Sequence, residues 1–173
     1  EGGNIQNLNL VEIDITGYEF VGGIAGYLED TDISNCSVSG SLACYYRYSG
    51  GIAGRALSTS GFRLIQNCDI DLDVLLIGNF DVPHYSGGLL GSTQQYNATN
   101  INSDVRYVMA DGRPTTYQST YNGSIFGYAQ VGATITDVTA KYHATSEKTT
   151  WYYRYFGGVI GYMRGALTLQ DVE

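Results

Sequence analysis

Lysine and proline are nearly missing from this chain of 173 residues, which has two prolines and only Lys141 and Lys148. Lysine and arginine together give nine cations, scattered singly against seventeen acids, for a net charge of −8. No basic stripe exists to neutralise phosphates, so nucleic acid is not an expected partner. No run of about 18 apolar residues is present to form a spanning helix, so membrane insertion is not expected.

Cysteine is equally scarce: Cys36, Cys44 and Cys68 cannot make a closed disulfide framework. Neither Cys-x-x-Cys nor His-x-x-x-His spacing occurs, so no metal centre or cofactor is expected. The two histidines, His84 and His143, have no serine, cysteine or carboxylate at a catalytic spacing. No catalytic residue can therefore be named, and the chain is not expected to be an enzyme. No leader-type segment precedes the first residues, which already belong to a repeat, and the chain reads as a piece of a longer protein.

What the sequence does have is glycine, at 23 residues, and tyrosine, at 16, within a 43% apolar composition. Glycine costs about 1 kcal/mol per helical site and tyrosine prefers a pleated surface, so long helices are disfavoured. Two phrases recur. One is an apolar residue followed two positions later by a small polar one: Ile5 to Asn7, Ile33 to Asn35, Ile65 to Asn67, Ile101 to Ser103, Ile135 to Asp137 and Leu169 to Asp171. The other lies between its copies: Gly23-Ile24-Ala25-Gly26, Gly51-Ile52-Ala53-Gly54, Gly88-Leu89-Leu90-Gly91, Ser124-Ile125-Phe126-Gly127 and Gly158-Val159-Ile160-Gly161. Two phrases kept in fixed order over five turns mark a repeat architecture.

Stretches such as Cys68-Asp69-Ile70-Asp71-Leu72-Asp73-Val74 alternate in the strand manner, which rules out helical repeats. Tight-hairpin signals are few, which argues against a propeller. The expected fold is all-β: a right-handed parallel β-solenoid of about five coils, with roughly three short strands per coil stacked about 4.8 Å apart. The chain is read as one repeat domain, residues 1–173, with repeats near 1–30, 31–62, 63–98, 99–132 and 133–166 and a sixth starting at 167–173.

In such a solenoid like residues form axial rows. The first phrase predicts a corner row of Asn7, Asn35 and Asn67, continued by Ser103, Asp137 and Asp171, with a bulge bringing Val105 into register. The second predicts an aromatic row of Phe20, Tyr48, Tyr85, Tyr121 and Tyr155, shielding glycine backbone or offering a platform for sugar rings. Cys36 and Cys68 fall in one row, pointing the same way, and are expected as buried free thiols; Cys44 is expected in a turn, partly exposed. Asp69, Asp71 and Asp73 share an outward face. Two tetrapeptides match, Tyr45-Tyr46-Arg47-Tyr48 and Tyr152-Tyr153-Arg154-Tyr155, with Trp151 beside the second. Tyr45, Tyr46, Arg47, Trp151, Tyr152, Tyr153 and Arg154 are the candidate ligand contacts, because rings stack on sugars or peptides and arginine forks to carboxylates.

Gly-apolar-x-Gly preceded by an aromatic and a glycine pair, separated by Ile-x-Asn-Cys-x-Val-x-Gly text (Ile33 to Gly40), resembles the GLUG repeat. That family occurs in bacterial surface proteins, including IgA-specific metallopeptidases and predicted adhesins, whose peptidase activity resides in other domains. The resemblance implies a structural or adhesive β-solenoid segment of a secreted or cell-surface protein, with an extracellular location and no catalytic residue. Expected partners are flanking repeats of the same protein, end-to-end copies, or a host glycan or protein. A carbohydrate-binding or polysaccharide-cleaving β-helix is the alternative.

Overall fold

A computed structural model describes residues 2–77, 83–109, 119–146 and 153–173. The first coil runs through β1 (Gly3–Gln6), β2 (Asn9–Gly17), β3 (Phe20–Gly22) and β4 (Ala25–Glu29). The second repeats it with β5 (Thr31–Ser34), β6 (Ser37–Cys44), β7 (Tyr48–Gly50) and β8 (Ala53–Leu57). From the third coil on, the first two strands merge into one of 14 residues. Coil three is then β9 (Arg63–Leu76), β10 (His84–Gly87) and β11 (Leu90–Gln94), and coil four β12 (Tyr96–Met109), β13 (Ser119–Gly123) and β14 (Phe126–Ala129). Coil five is β15 (Ala133–Ser146), β16 (Tyr153–Gly157) and β17 (Ile160–Met163), and β18 (Leu167–Val172) begins a sixth. Each strand pairs in parallel with its counterpart one coil away, giving three sheets and a β-solenoid. The two short sheets have five rungs each, so four full turns separate their first and last strands.

Alternation within the long strands builds the core. Ile33, Ile65, Ala98 and Ile135 stack in register and none is more than 1% exposed. Burying each isoleucine contributes about 1.5–3 kcal/mol. Toward the middle coils the interior turns polar, and three of its contacts join polar groups there. Ser49 and Ser86 hydroxyls meet at 2.6 Å, Ser103 Oγ donates to the Ser124 carbonyl at 2.8 Å, and Tyr107 Oη donates to Gly123 O at 3.1 Å. Burial pushes the Tyr107 pKa far up, with Tyr142 adding to the shift, and keeps it a neutral phenol.

Two register expectations are corrected. Ser103 is not on the corner: it pairs with Ile70 and Ala140, is fully buried, and the fourth corner residue is Asn100. The aligned phrase is Ala98-Thr99-Asn100, and Ile101 takes the place of Cys68 after the corner. Val105 then faces Leu72 and Tyr142 in unbroken register, and no bulge is needed. The bulge lies in the first coil instead, where Val11 and Glu12 oppose the single residue Ser39. Glu12 has φ 55° and Gly40 φ 132°; a Cβ on Gly40 would lie 2.2 Å from Ile13 O, so only glycine fits opposite the bulge. Val11 is consequently turned outward, 61% exposed.

Candidate recognition surface

Positive φ at Asn7, Asn35, Asn67, Asn100, Asp137 and Asp171 makes the corner, a conformation that asparagine and aspartate tolerate. The amides link coil to coil in one direction. Asn100 Nδ2 donates to Asn67 Oδ1 at 2.7 Å, Asn67 Nδ2 to Asn35 Oδ1 at 3.0 Å, and Asn35 Nδ2 to Asn7 Oδ1 at 3.3 Å. Asp137 has no side-chain amide to donate onward to Asn100, so the amide chain starts at Asn100.

Phe20, Tyr48, Tyr85, Tyr121 and Tyr155 lie in register and stack within 13° of parallel, with ring centroids 5.1, 5.2, 5.1 and 4.8 Å apart. A second row flanks it on the next sheet: Tyr128 and Tyr162 stack at 5.5 Å, and Arg55 sits 5.7 Å over Tyr48 and 6.0 Å over Tyr27. Behind the rings the two short sheets nearly touch. A Cβ on Gly91 would lie 2.5 Å from Gly54 O and 2.6 Å from Ser49 O. With no side chains between those backbones, the rings cover the outside of a corner that has no core of its own. Burial pushes the Tyr85 phenol up to about 12, with the neighbouring tyrosines adding to the shift.

In the first two coils an aromatic, a glycine pair and a Gly-apolar-x-Gly run feed an Ile-x-Asn corner. The family model described as the GLUG motif matches residues 17–43, which span β3, β4, β5 and most of β6. The chain is a β-solenoid that carries a GLUG motif at residues 17–43. No curated protein and no solved structure matches it. Within the matched GLUG segment Phe20, Gly22, Gly26 and Asn35 hold the ring, narrow-corner and amide-corner positions.

Tyr48 on β7 and Tyr155 on β16, which end the two matching tetrapeptides, sit three coils apart along the solenoid. In the first, Tyr46 stacks on Tyr18 at 5.0 Å, and Arg47 lies 5.1 Å over Tyr46 and 3.9 Å from Glu19. Tyr45 is 41% and Tyr18 67% exposed. Tyr18 and Glu19 were not legible as members, because nothing in the repeat text ties them to a loop 28 residues later. In the second loop, Trp151 and Tyr152 lie outside the described residues; Tyr153 and Arg154 pair through their backbones with Ser119 and Thr120.

Asp69, Asp71 and Asp73 face outward as the alternation requires. Arg106, one coil on, donates to Asp73 at 2.5 Å, to Asp71 at 2.8 Å and to Asp104 at 3.2 Å, and the Asp71 and Asp73 carboxylates push its pKa up further. Lys141 then stands opposite Asp104. Asp71, Asp73 and Asp104 are thus tied up in an exposed ion-pair patch, an arrangement worth little to stability. His84 is buried, and burial pushes it down to about 3, which keeps it neutral at physiological pH.

Cys36 and Cys68 are buried free thiols, each donating to the carbonyl two residues back, Ser34 and Gln66, at 3.2 Å. Burial pushes Cys68 up to about 11. Cys44 is corrected from the expected exposed turn: it ends β6, faces inward opposite Leu76 and is 1% exposed.

A carboxylate that the repeat text did not single out has the densest hydrogen bonding. Asp30, at φ 47°, accepts from Thr59 Oγ1 at 2.6 Å, Ser58 Oγ at 2.7 Å, and Thr59 N and Ser60 Oγ at 2.9 Å. The Thr59 and Ser58 hydroxyls hold its pKa well below the usual carboxylate range. A depressed folded pKa contributes stability that is present above the unfolded value of 3.8 and is lost as pH falls toward the folded one. Urea midpoints measured down a pH series should therefore fall below about pH 4, and Asp30→Asn should flatten that acid limb. Identical acid limbs in the two proteins would contradict this role.

Proposed function

We propose that this GLUG solenoid is a non-enzymatic structural and adhesive segment of a secreted or cell-surface bacterial protein. The observation that supports the reading is that its conspicuous outward groups are engaged in joining one coil to the next. Asparagines bond asparagines, rings stack on rings, and Asp71 and Asp73 are held by Arg106. A spacer needs such rows, whereas a catalytic cleft needs polar groups left free to meet a substrate.

Flanking repeats or end-to-end copies are the proposed partners. Leu169 and Leu167 lie in rows with buried Ile135 and Ala133, yet are 47% and 40% exposed. A flanking repeat or a second copy stacked end to end would cover them and pair the strand edge. Carbohydrate binding is the second reading, and Tyr18 favours it because its ring is the most exposed of the aromatic residues described. The central aromatic row supports it less, because stacking uses up the ring faces a sugar would need.

One experiment separates the readings. The chain is immobilised and assayed for adhesion on glycan and host-protein arrays, with Tyr18→Ala and Tyr46→Ala alongside, and for polysaccharide cleavage, with Asp71→Asn alongside. Adhesion without cleavage is the expected result. Cleavage abolished by Asp71→Asn would overturn the non-enzymatic reading, and glycan binding lost in Tyr18→Ala would establish the second.

A further inference from the structure

Along the main aromatic row Tyr48, Tyr85, Tyr121 and Tyr155 stack face to face at 4.8–5.2 Å, and each contact joins consecutive coils. Two further pairs do the same off that row: Tyr18 with Tyr46 at 5.0 Å and Tyr128 with Tyr162 at 5.5 Å. Parallel pairing imposes this, since an aromatic at one position of the repeat places its ring on its own counterpart. The cysteines are free, so no disulfide ties one coil to another. They are also at most 2% exposed, which shields the thiols that would otherwise reduce a tyrosyl radical.

We propose that these stacked tyrosines are sites of oxidative phenol coupling, through which dityrosine bonds staple successive coils of the solenoid. Each ring of a pair gives up one electron and its hydroxyl proton to become a phenoxyl radical. The two radicals join by a carbon–carbon bond between positions ortho to the oxygens, and the hydrogens on those carbons move to the oxygens, restoring two phenols. The net loss is two electrons and two protons, and hydrogen peroxide acting through a haem peroxidase accepts them to become two waters. Accessible entry points exist, with Tyr18 67%, Tyr155 39% and Tyr162 39% exposed. The partner ring is already held alongside, which favours the neighbour in the row over a second molecule. Phe20 closes the main row and, lacking a phenol, cannot couple to Tyr48 despite stacking at 5.1 Å.

The inference rests on the ring geometry and stands apart from the adhesive reading. Its test treats dilute native chain with peroxidase and limiting peroxide, then maps linked peptides by mass spectrometry after digestion and follows dityrosine fluorescence. The expected products are monomers carrying Tyr48–Tyr85, Tyr85–Tyr121, Tyr121–Tyr155, Tyr128–Tyr162 and Tyr18–Tyr46 links. The double variant Tyr85→Phe with Tyr155→Phe keeps the stack, as Phe20 does on Tyr48, but leaves Tyr48 and Tyr121 without a tyrosine neighbour in the main row. It should lose every link in that row while keeping the other two pairs. Links scattered as in urea-unfolded chain, or formed only between molecules, would overturn the proposal.

Discussion

Replacing Gly88 by alanine should cost about 3 kcal/mol, at the upper end of what overpacking costs. The added methyl would lie 1.8 Å from the Ser124 carbonyl oxygen and 2.4 Å from Ser103 Oγ, so backbone of the neighbouring coil must move. Moving it also disturbs the Gly88 N–H bond to Gly123 O at 3.2 Å and the buried bond from Ser103 to Ser124. Gly158 is the control: it sits two coils later in the same place, where an added Cβ meets nothing within 4 Å, and Gly158→Ala should be close to neutral. Urea unfolding of both variants reads the difference directly. Equal midpoints would mean that the glycine corner is wider than described. Ser124 itself occupies this place in the fourth coil, and its hydroxyl is used by donating to the Gly158 carbonyl.

The second large effect belongs to Asn67→Ala, for which a loss of about 2–3 kcal/mol is expected. About 1–2 kcal/mol comes from holding alanine at φ 54°, where its Cβ crowds the following carbonyl. The remainder comes from two amide bonds, one accepted from Asn100 and one donated to Asn35, discounted because both are exposed to water. Asn67→Gly separates the two contributions. Glycine enters the left-handed region freely, so this variant should recover the backbone part and retain a deficit of about 1 kcal/mol. If Asn67→Gly proved as damaging as Asn67→Ala, the amide chain rather than the backbone would carry the cost.

The architecture was legible because repetition places like residues in rows, and a row such as Tyr48, Tyr85 and Tyr121 needs only its spacing to be seen. Ser103 shows where spacing fails. Ile101-Asn102-Ser103 imitates the corner phrase, but the corner depends on which residue can hold positive φ, and Asn100 does so three positions earlier. Alanine at 98 disguised the true match, since a small residue there replaces the isoleucine found at 65 and 135. The Glu12 bulge was hidden for a related reason: Val11 continues an alternation that the backbone breaks. On the candidate surface, the loop Tyr45 to Arg47 announced itself by composition. Its partners Tyr18 and Glu19 come from the coil before and become neighbours only once the strands are in register.

The like-on-like pairing has a genetic corollary. A coil presents on its two edges surfaces made from the same positions of one repeat, so a copy inserted by unequal recombination would meet neighbours it already fits. Separations between bonded asparagines of 28, 32 and 33 residues indicate that the surplus is absorbed in loops such as Ser58 to Gly61 while the amides stay aligned. Reach could therefore change by whole coils in single mutational events, without passing through misfolded intermediates.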